Sequence, residues 1–111
     1  MPQVEFNCIT GHASLVYDSL SRSISNYKRG YNYIKIGITG RNPQQRFDEN
    51  SKIDSWQRMV VLYETTSISY ANNLEYLLIE RHKADLVNQK AGGGSYLAEK
   101  GYNYLYVLLG N

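Results

Sequence analysis

The chain has a single cysteine, Cys8, only two histidines, His12 and His82, and no acidic residue anywhere between Arg22 and Arg46. One cysteine excludes an internal disulfide framework and a cysteine-rich zinc site, and two histidines at that spacing do not make one either. Nothing basic adjoins Cys8 in sequence, so it reads as a lone buried thiol and not a reactive one. No apolar run approaches the roughly 20 residues that cross a bilayer, and the opening MPQVEFNCIT has neither a basic leader nor a long apolar stretch. The expectation is therefore no signal peptide, no membrane partner and a cytoplasmic location. The glycine-rich run NQKAGGGSY lacks GK[ST] and follows a helical pattern where a phosphate-binding P-loop would follow a strand, so that motif is excluded as well.

The missing acids concentrate charge. Arg22, Lys28, Arg29, Lys35, Arg41 and Arg46 give the segment +6, while the remainder carries −4, although the whole chain is only +2. Such a block is the footprint of a surface that meets phosphates, and a solvated basic face is its bland alternative. Interleaved tyrosines (Tyr27, Tyr31 and Tyr33) add groups that can stack or hydrogen-bond, which favours nucleic acid. At 111 residues the chain is one domain spanning 1–111, able to bury roughly two thirds of its unfolded surface and needing no staples.

Periodicity supplies the elements. Ile34, Ile36 and Ile38 alternate with Tyr33, Lys35, Gly37 and Thr39, which predicts a strand with one buried face. Gly40 breaks it. Asn42-Pro43 is a helix start, since the Asn side chain caps free N–H groups and Pro at the first position gives up a donor that would be unpaired anyway. Ser14 to Leu20 alternates well enough to predict an earlier strand, and the polar run Ser21 to Asn32 predicts a long hairpin connection to the Tyr33 strand. Trp56 to Glu64 predicts a central strand, with Trp56 packing at the core or rim. Ser67 or Ser69 caps a helix over residues 70–87, in which Ala71, Leu74, Leu77 and Leu78 form the inward stripe and Glu75, Ile79 and His82 an adjacent face. Tyr102 to Leu109 predicts a last strand with Tyr102, Tyr104 and Tyr106 on one face.

Lys35-Ile36-Gly37-Ile38-Thr39, followed by Arg46 nine residues after the glycine, resembles the second motif of the GIY-YIG nuclease superfamily. The likeness is greatest to a phage and viral branch that reads KIG-x-T, and it covers about fifteen residues. The resemblance implies an α+β domain with a central three-stranded antiparallel sheet flanked by helices, plus a C-terminal strand. It implies a metal-dependent DNA endonuclease, with one Mg²⁺ or Mn²⁺ per site, DNA as partner and a homodimer as an option; in a viral source the location becomes the host cytoplasm.

Carried over residue by residue, the resemblance places Leu15-Val16-Tyr17 where Gly-Ile-Tyr would stand, without the glycine. Tyr17 is then the motif tyrosine, with Tyr31 as its rival. Lys35 takes the place of the second tyrosine, Arg46 clamps phosphate, and Glu75 holds the metal. Asn88 either closes the site or caps a helix. His82 is either a partner of Glu75 or of a phosphate, or an exposed helix histidine. Lys28, Arg29, Tyr31, Tyr33 and Arg41 join Asn88 as candidate nucleic-acid contacts. Lysine cannot repeat a phenol's chemistry, and the first motif has no glycine. A degenerate relative that binds nucleic acid or protein without cutting is therefore the second expectation.

Overall fold

Alternating apolar residues become the strands, and apolar residues repeating every three to four become the helices. The computed structural model describes residues 3–51, 55–87 and 97–111. In chain order these form β1 (Val4–Ile9), α1 (Ala13–Lys28), β2 (Tyr33–Thr39), α2 (Pro43–Ser51), β3 (Arg58–Thr65), α3 (Ile68–His82) and β4 (Asn103–Gly110), with a 3₁₀ turn at Lys83–Asp85. The strands make one mixed sheet in the order β1-β3-β4-β2, with β1 parallel to β3 and β4 antiparallel to both β3 and β2. Helices flank both faces, which makes an α+β domain. Among the described residues no helix is long and apolar enough to cross a membrane.

Two expectations about the sheet fail. It has four strands and is mixed, where three antiparallel strands and a separate terminal one were expected. The segment expected to be the first strand is helix α1, and the expected hairpin connection after it is the same helix continuing to Lys28. Val16, Leu20 and Ile24 recur every four residues and are buried, whereas Leu15, expected to share a strand face with Tyr17, is exposed. That spacing is the stripe a helix lays on a core. The His12 side chain caps the helix by accepting the Ser14 N–H at 3.1 Å, a residue type that does not signal a cap from sequence. The strand lost there is supplied by β1, from a stretch that carried no expectation. The antiparallel partner of β2 is β4, from the far end of the chain.

Other elements follow their local signals. The Asn42 side chain accepts the Gln44 N–H at 2.8 Å at the start of α2. Ser67 accepts the Tyr70 N–H at 3.0 Å and caps α3. On α3, Ala71, Leu74 and Leu78 are buried as expected, but Leu77 is exposed, and the buried face runs instead through Glu75, Ile79 and His82.

The core has two layers. On one face of the sheet, Ile34, Ile36, Ile38, Val60, Leu105, Val107 and Leu109 meet Val16, Leu20 and Ile24 of α1 and Leu74, Leu78 and Ile79 of α3. Each such side chain, fully buried, contributes about 1.5–3 kcal/mol relative to exposure. The other face is smaller: Phe47 of α2 and Trp56 close over Val4, Met59, Val61, Tyr106 and Leu108.

Candidate functional site

The KIGITG stretch is shaped by what lies on it. Gly37 opposes Tyr106 across the β2–β4 pair. A Cβ at Gly37 would stand 2.5 Å from both Cζ and Oη of Tyr106, so only glycine lets the phenol lie across β2. Gly40 has the same need for a different neighbour. A Cβ there would collide with the backbone at Leu97-Ala98 and with the Asn103 side chain. Asn103 holds that backbone by both polar atoms, accepting the Ala98 N–H at 2.6 Å and donating to the Ala98 carbonyl at 3.0 Å.

The phenol of Tyr106 gathers groups from three elements. Arg46 of α2 donates from Nε to the Tyr106 hydroxyl at 3.3 Å. Asn50, one turn on, donates to the Arg46 carbonyl at 2.8 Å. Glu75 of α3, only 5% exposed, is close enough for its charge to act on Tyr106. Burial above all, and the Glu75 charge, push the phenol above its ordinary pKa, against the opposing pull of Arg46 and Asn50. Tyr106 is therefore a neutral phenol near pH 7, a hydrogen-bonding group and not a ready base. It is also almost fully buried, so it acts on anything outside through Arg46.

Arg46 keeps an open side. Its guanidinium is part-exposed, Nη1 lies 3.8 Å from Glu49, and its terminal nitrogens make no hydrogen bond among the described residues. Glu49 is itself held by Arg41, at 2.9 Å from Nη2. Glu49 therefore lies between two guanidinium groups.

The aromatic group bonded to Arg46 is Tyr106, not Tyr17. Tyr17 lies on α1, packed at the edge of the opposite core layer with the Arg81 guanidinium 5.8 Å from its ring centre. Its rival Tyr31 accepts a hydrogen bond from Arg58 at 2.8 Å, and the Arg58 guanidinium also lies over the rings of Tyr27 and Tyr31 while it pairs with Glu5. Lys35 stands two residues before Gly37, on the same face of β2 and half-buried.

Lys28 bonds Nδ1 of His82 at 3.0 Å and Asp85 at 2.9 Å. His82 is neither exposed nor a partner of Glu75. It is buried and bonded to Ser21 Oγ at 2.9 Å, clasping α1 to α3. Arg29 is exposed at the end of α1, and Tyr33 is exposed at the start of β2. Asn88 lies outside the described residues. The +6 segment therefore does not form one patch: Lys28 and Arg29 close α1, and β2, about 20 Å long, separates them from Arg41.

Tyr106 and Asn50 were missed from sequence. The alternation of Tyr102, Tyr104 and Tyr106 was visible, but which tyrosine lies over Gly37 depends on the strand register. Cys8 fits the reading of an unreactive thiol: burial, and then the Glu64 charge, push it up to about 11.

Among the described residues no three His, Cys, Asp or Glu side chains gather to hold a metal ion by themselves. A cation at Glu75 would take one protein oxygen and complete its shell from water and phosphate, which suits Mg²⁺ and not zinc. In comparisons with family models, with curated proteins and with solved structures, the chain matches none.

Proposed function

We propose that the protein is a metal-dependent DNA endonuclease that works through a GIY-YIG-type site. The observation that carries the reading is Arg46, nine residues after Gly37, bonded to the Tyr106 phenol that lies across that glycine. In this reading the strand paired with the KIG strand supplies the aromatic group, as in the family it resembles, but it does so from β4. Tyr106 is buried, so in this reading it orients Arg46 and does not itself act on the attacking water.

Hydrolysis of a phosphodiester needs a clamp on the phosphate, an activated water and stabilisation of the leaving oxygen. Arg46 is the clamp. Tyr106 fixes its Nε, so the terminal nitrogens can donate charge-assisted hydrogen bonds to two phosphate oxygens. Glu75 would be the protein ligand of the divalent ion. When bound, that ion polarises the phosphate and makes water acidic enough to attack near neutral pH. Lys35, on the same face, adds positive charge where the negative charge of the transition state grows. DNA binds along the β2 edge, with Arg41 as a further contact, and a homodimer would let two such sites address two strands.

The test is nicking of supercoiled plasmid in Mg²⁺. Wild type should nick, and Arg46→Ala and Glu75→Gln should each lose about a hundredfold or more with circular dichroism and melting unchanged. Equal activity in all three would refute the assignment. One observation favours a second reading, a non-cutting relative that binds nucleic acid or protein. Glu49 stands 3.8 Å from Arg46 and occupies part of its charge. Salt-dependent DNA binding with no cleavage in Mg²⁺ or Mn²⁺ would select that reading.

A further inference from the structure

At the other end of β2 from Thr39 there is a cavity of about 320 Å³, lined by Tyr33, Ser55, Trp56, Val87, Gly110 and Asn111. We propose that it receives one unstacked nucleobase of the DNA strand, so that the protein acts on single-stranded, frayed or branched DNA in preference to closed duplex. The proposal rests on Arg46 holding a phosphate.

Size and chemistry select the occupant. The volume is at the lower end for ligand pockets, enough for one heterocycle but not for a helix or a run of peptide. None of the six lining side chains is charged, so the cavity suits a neutral, flat group and not a phosphate. Tyr33 is a half-exposed ring at its wall, and Trp56 presents the edge of its six-membered ring to Gly110. A Cβ added at Gly110 would lie 3.5 Å from Trp56 Cε3 and 3.4 Å from the Ser55 carbonyl. The missing side chain of Gly110 is therefore what keeps the space beside the indole.

Asn111 supplies a polar edge. Its Oδ1 accepts the Asn32 N–H at 3.3 Å and its Nδ2 donates to Gln57 at 3.2 Å. A side-chain amide has two donor and two acceptor positions, so one N–H and one lone pair remain, the complement of a base edge.

The cavity is also in line with the phosphate site. Tyr33 and Gly110 are opposite each other, as are Gly37 and Tyr106. Tyr33, Lys35 and Gly37 share one face of β2 by strand alternation, and their span is about 13 Å. A strand with a phosphate at Arg46 can pass the Lys35 ammonium and turn its next free base into the cavity. A base inside a duplex is stacked and paired, and must first be extruded at an energetic cost. That difference would set the substrate preference.

Trp56 is the only tryptophan, so its fluorescence reports the cavity directly. The experiment titrates the whole chain, in EDTA, with a short single-stranded oligonucleotide, a hairpin duplex of equal charge, and a fully abasic strand of equal length. Tryptophan emission and anisotropy are read together. The expected result is quenching by the single strand only, with the abasic strand bound about tenfold more weakly or worse. Gly110→Val, which fills the space, and Tyr33→Ala, a surface change that leaves folding alone, should each remove the quench and most of that tenfold. Equal affinity for the abasic and natural strands, or quenching that both variants retain, would overturn the proposal. Quenching by a nucleoside monophosphate at the same concentration would also overturn it, in favour of a free nucleotide. Plasmid nicking in Mg²⁺ on the same samples separates the two ideas. Nicking without quenching refutes the cavity alone, and quenching without nicking supports it while refuting hydrolysis.

Discussion

On one side of the sheet, two long helices lay a broad aliphatic layer over Ile34, Ile36 and Ile38, and the polar groups caught there pair with one another. On the other side, α2 covers a smaller area, and the residues beneath it include a buried phenol under a guanidinium. Burial does different work in the two places. Ser21, His82, Lys28 and Asp85 satisfy one another between α1 and α3, so that cluster holds the helices together. Arg46 is bonded to the buried Tyr106 phenol, yet it still faces outward with terminal nitrogens to spare. A charged residue that a fold has oriented and only partly neutralised is the one available for chemistry.

The largest effect on this contrast should come from the aliphatic side. Leu74→Ala removes a fully buried side chain and should cost about 2–5 kcal/mol in urea unfolding, with any surviving native protein still able to bind DNA. Gly37→Ala strikes the other side. Its methyl must displace Tyr106, at about 1–3 kcal/mol, and DNA nicking should fall further than stability does. If Gly37→Ala leaves nicking intact, the phenol has no part in orienting Arg46.

The polar clasp makes a prediction in pH. Burial first, and then the positive charges of Lys28 and Arg81, hold the His82 imidazole below its ordinary pKa, with Asp85 acting the other way. The unfolded chain then takes up a proton that the folded chain refuses. The contribution of His82 is fully present above its unfolded pKa of about 6.5 and is lost as pH falls from there toward the lower folded value. Melting temperature should drop between pH 7.5 and 5.5, and this drop should flatten in His82→Gln.

Smaller still, Tyr106→Phe removes one hydrogen bond and should cost about 0.5–1.5 kcal/mol, while nicking falls roughly tenfold to a hundredfold because the guanidinium loses its anchor. At the bottom of the scale, Glu80→Gln breaks an exposed pair with Lys83 and should change stability by less than about 0.5 kcal/mol.

Much of this architecture was legible locally. The β2 alternation, the Asn42-Pro43 start of α2, the apolar run of β3 and the Leu74/Leu78 spacing each contain their own signal within a few residues. The α1 segment did not, because Leu15, Tyr17 and Ser19 mimic a strand face over seven residues, and the helical stripe shows only when Ile24 is included. Arg46 and Glu75 were singled out through the resemblance to GIY-YIG domains. Tyr106 was not, because its role depends on a register between strands that are some seventy residues apart.

By itself, the order of residues determined where the chain extends, coils and turns, since those choices are made by neighbours within one or two turns of backbone. It also placed a glycine, a lysine and an arginine within reach of one another around a single strand and turn. Only the tertiary structure decided that β4 would be the partner of that strand, that Tyr106 would be the phenol over Gly37, and that Lys28 would be spent on His82. Sheet pairing is a long-range competition in which a shift of one residue turns every side chain to the other face, and no local pattern encodes its outcome.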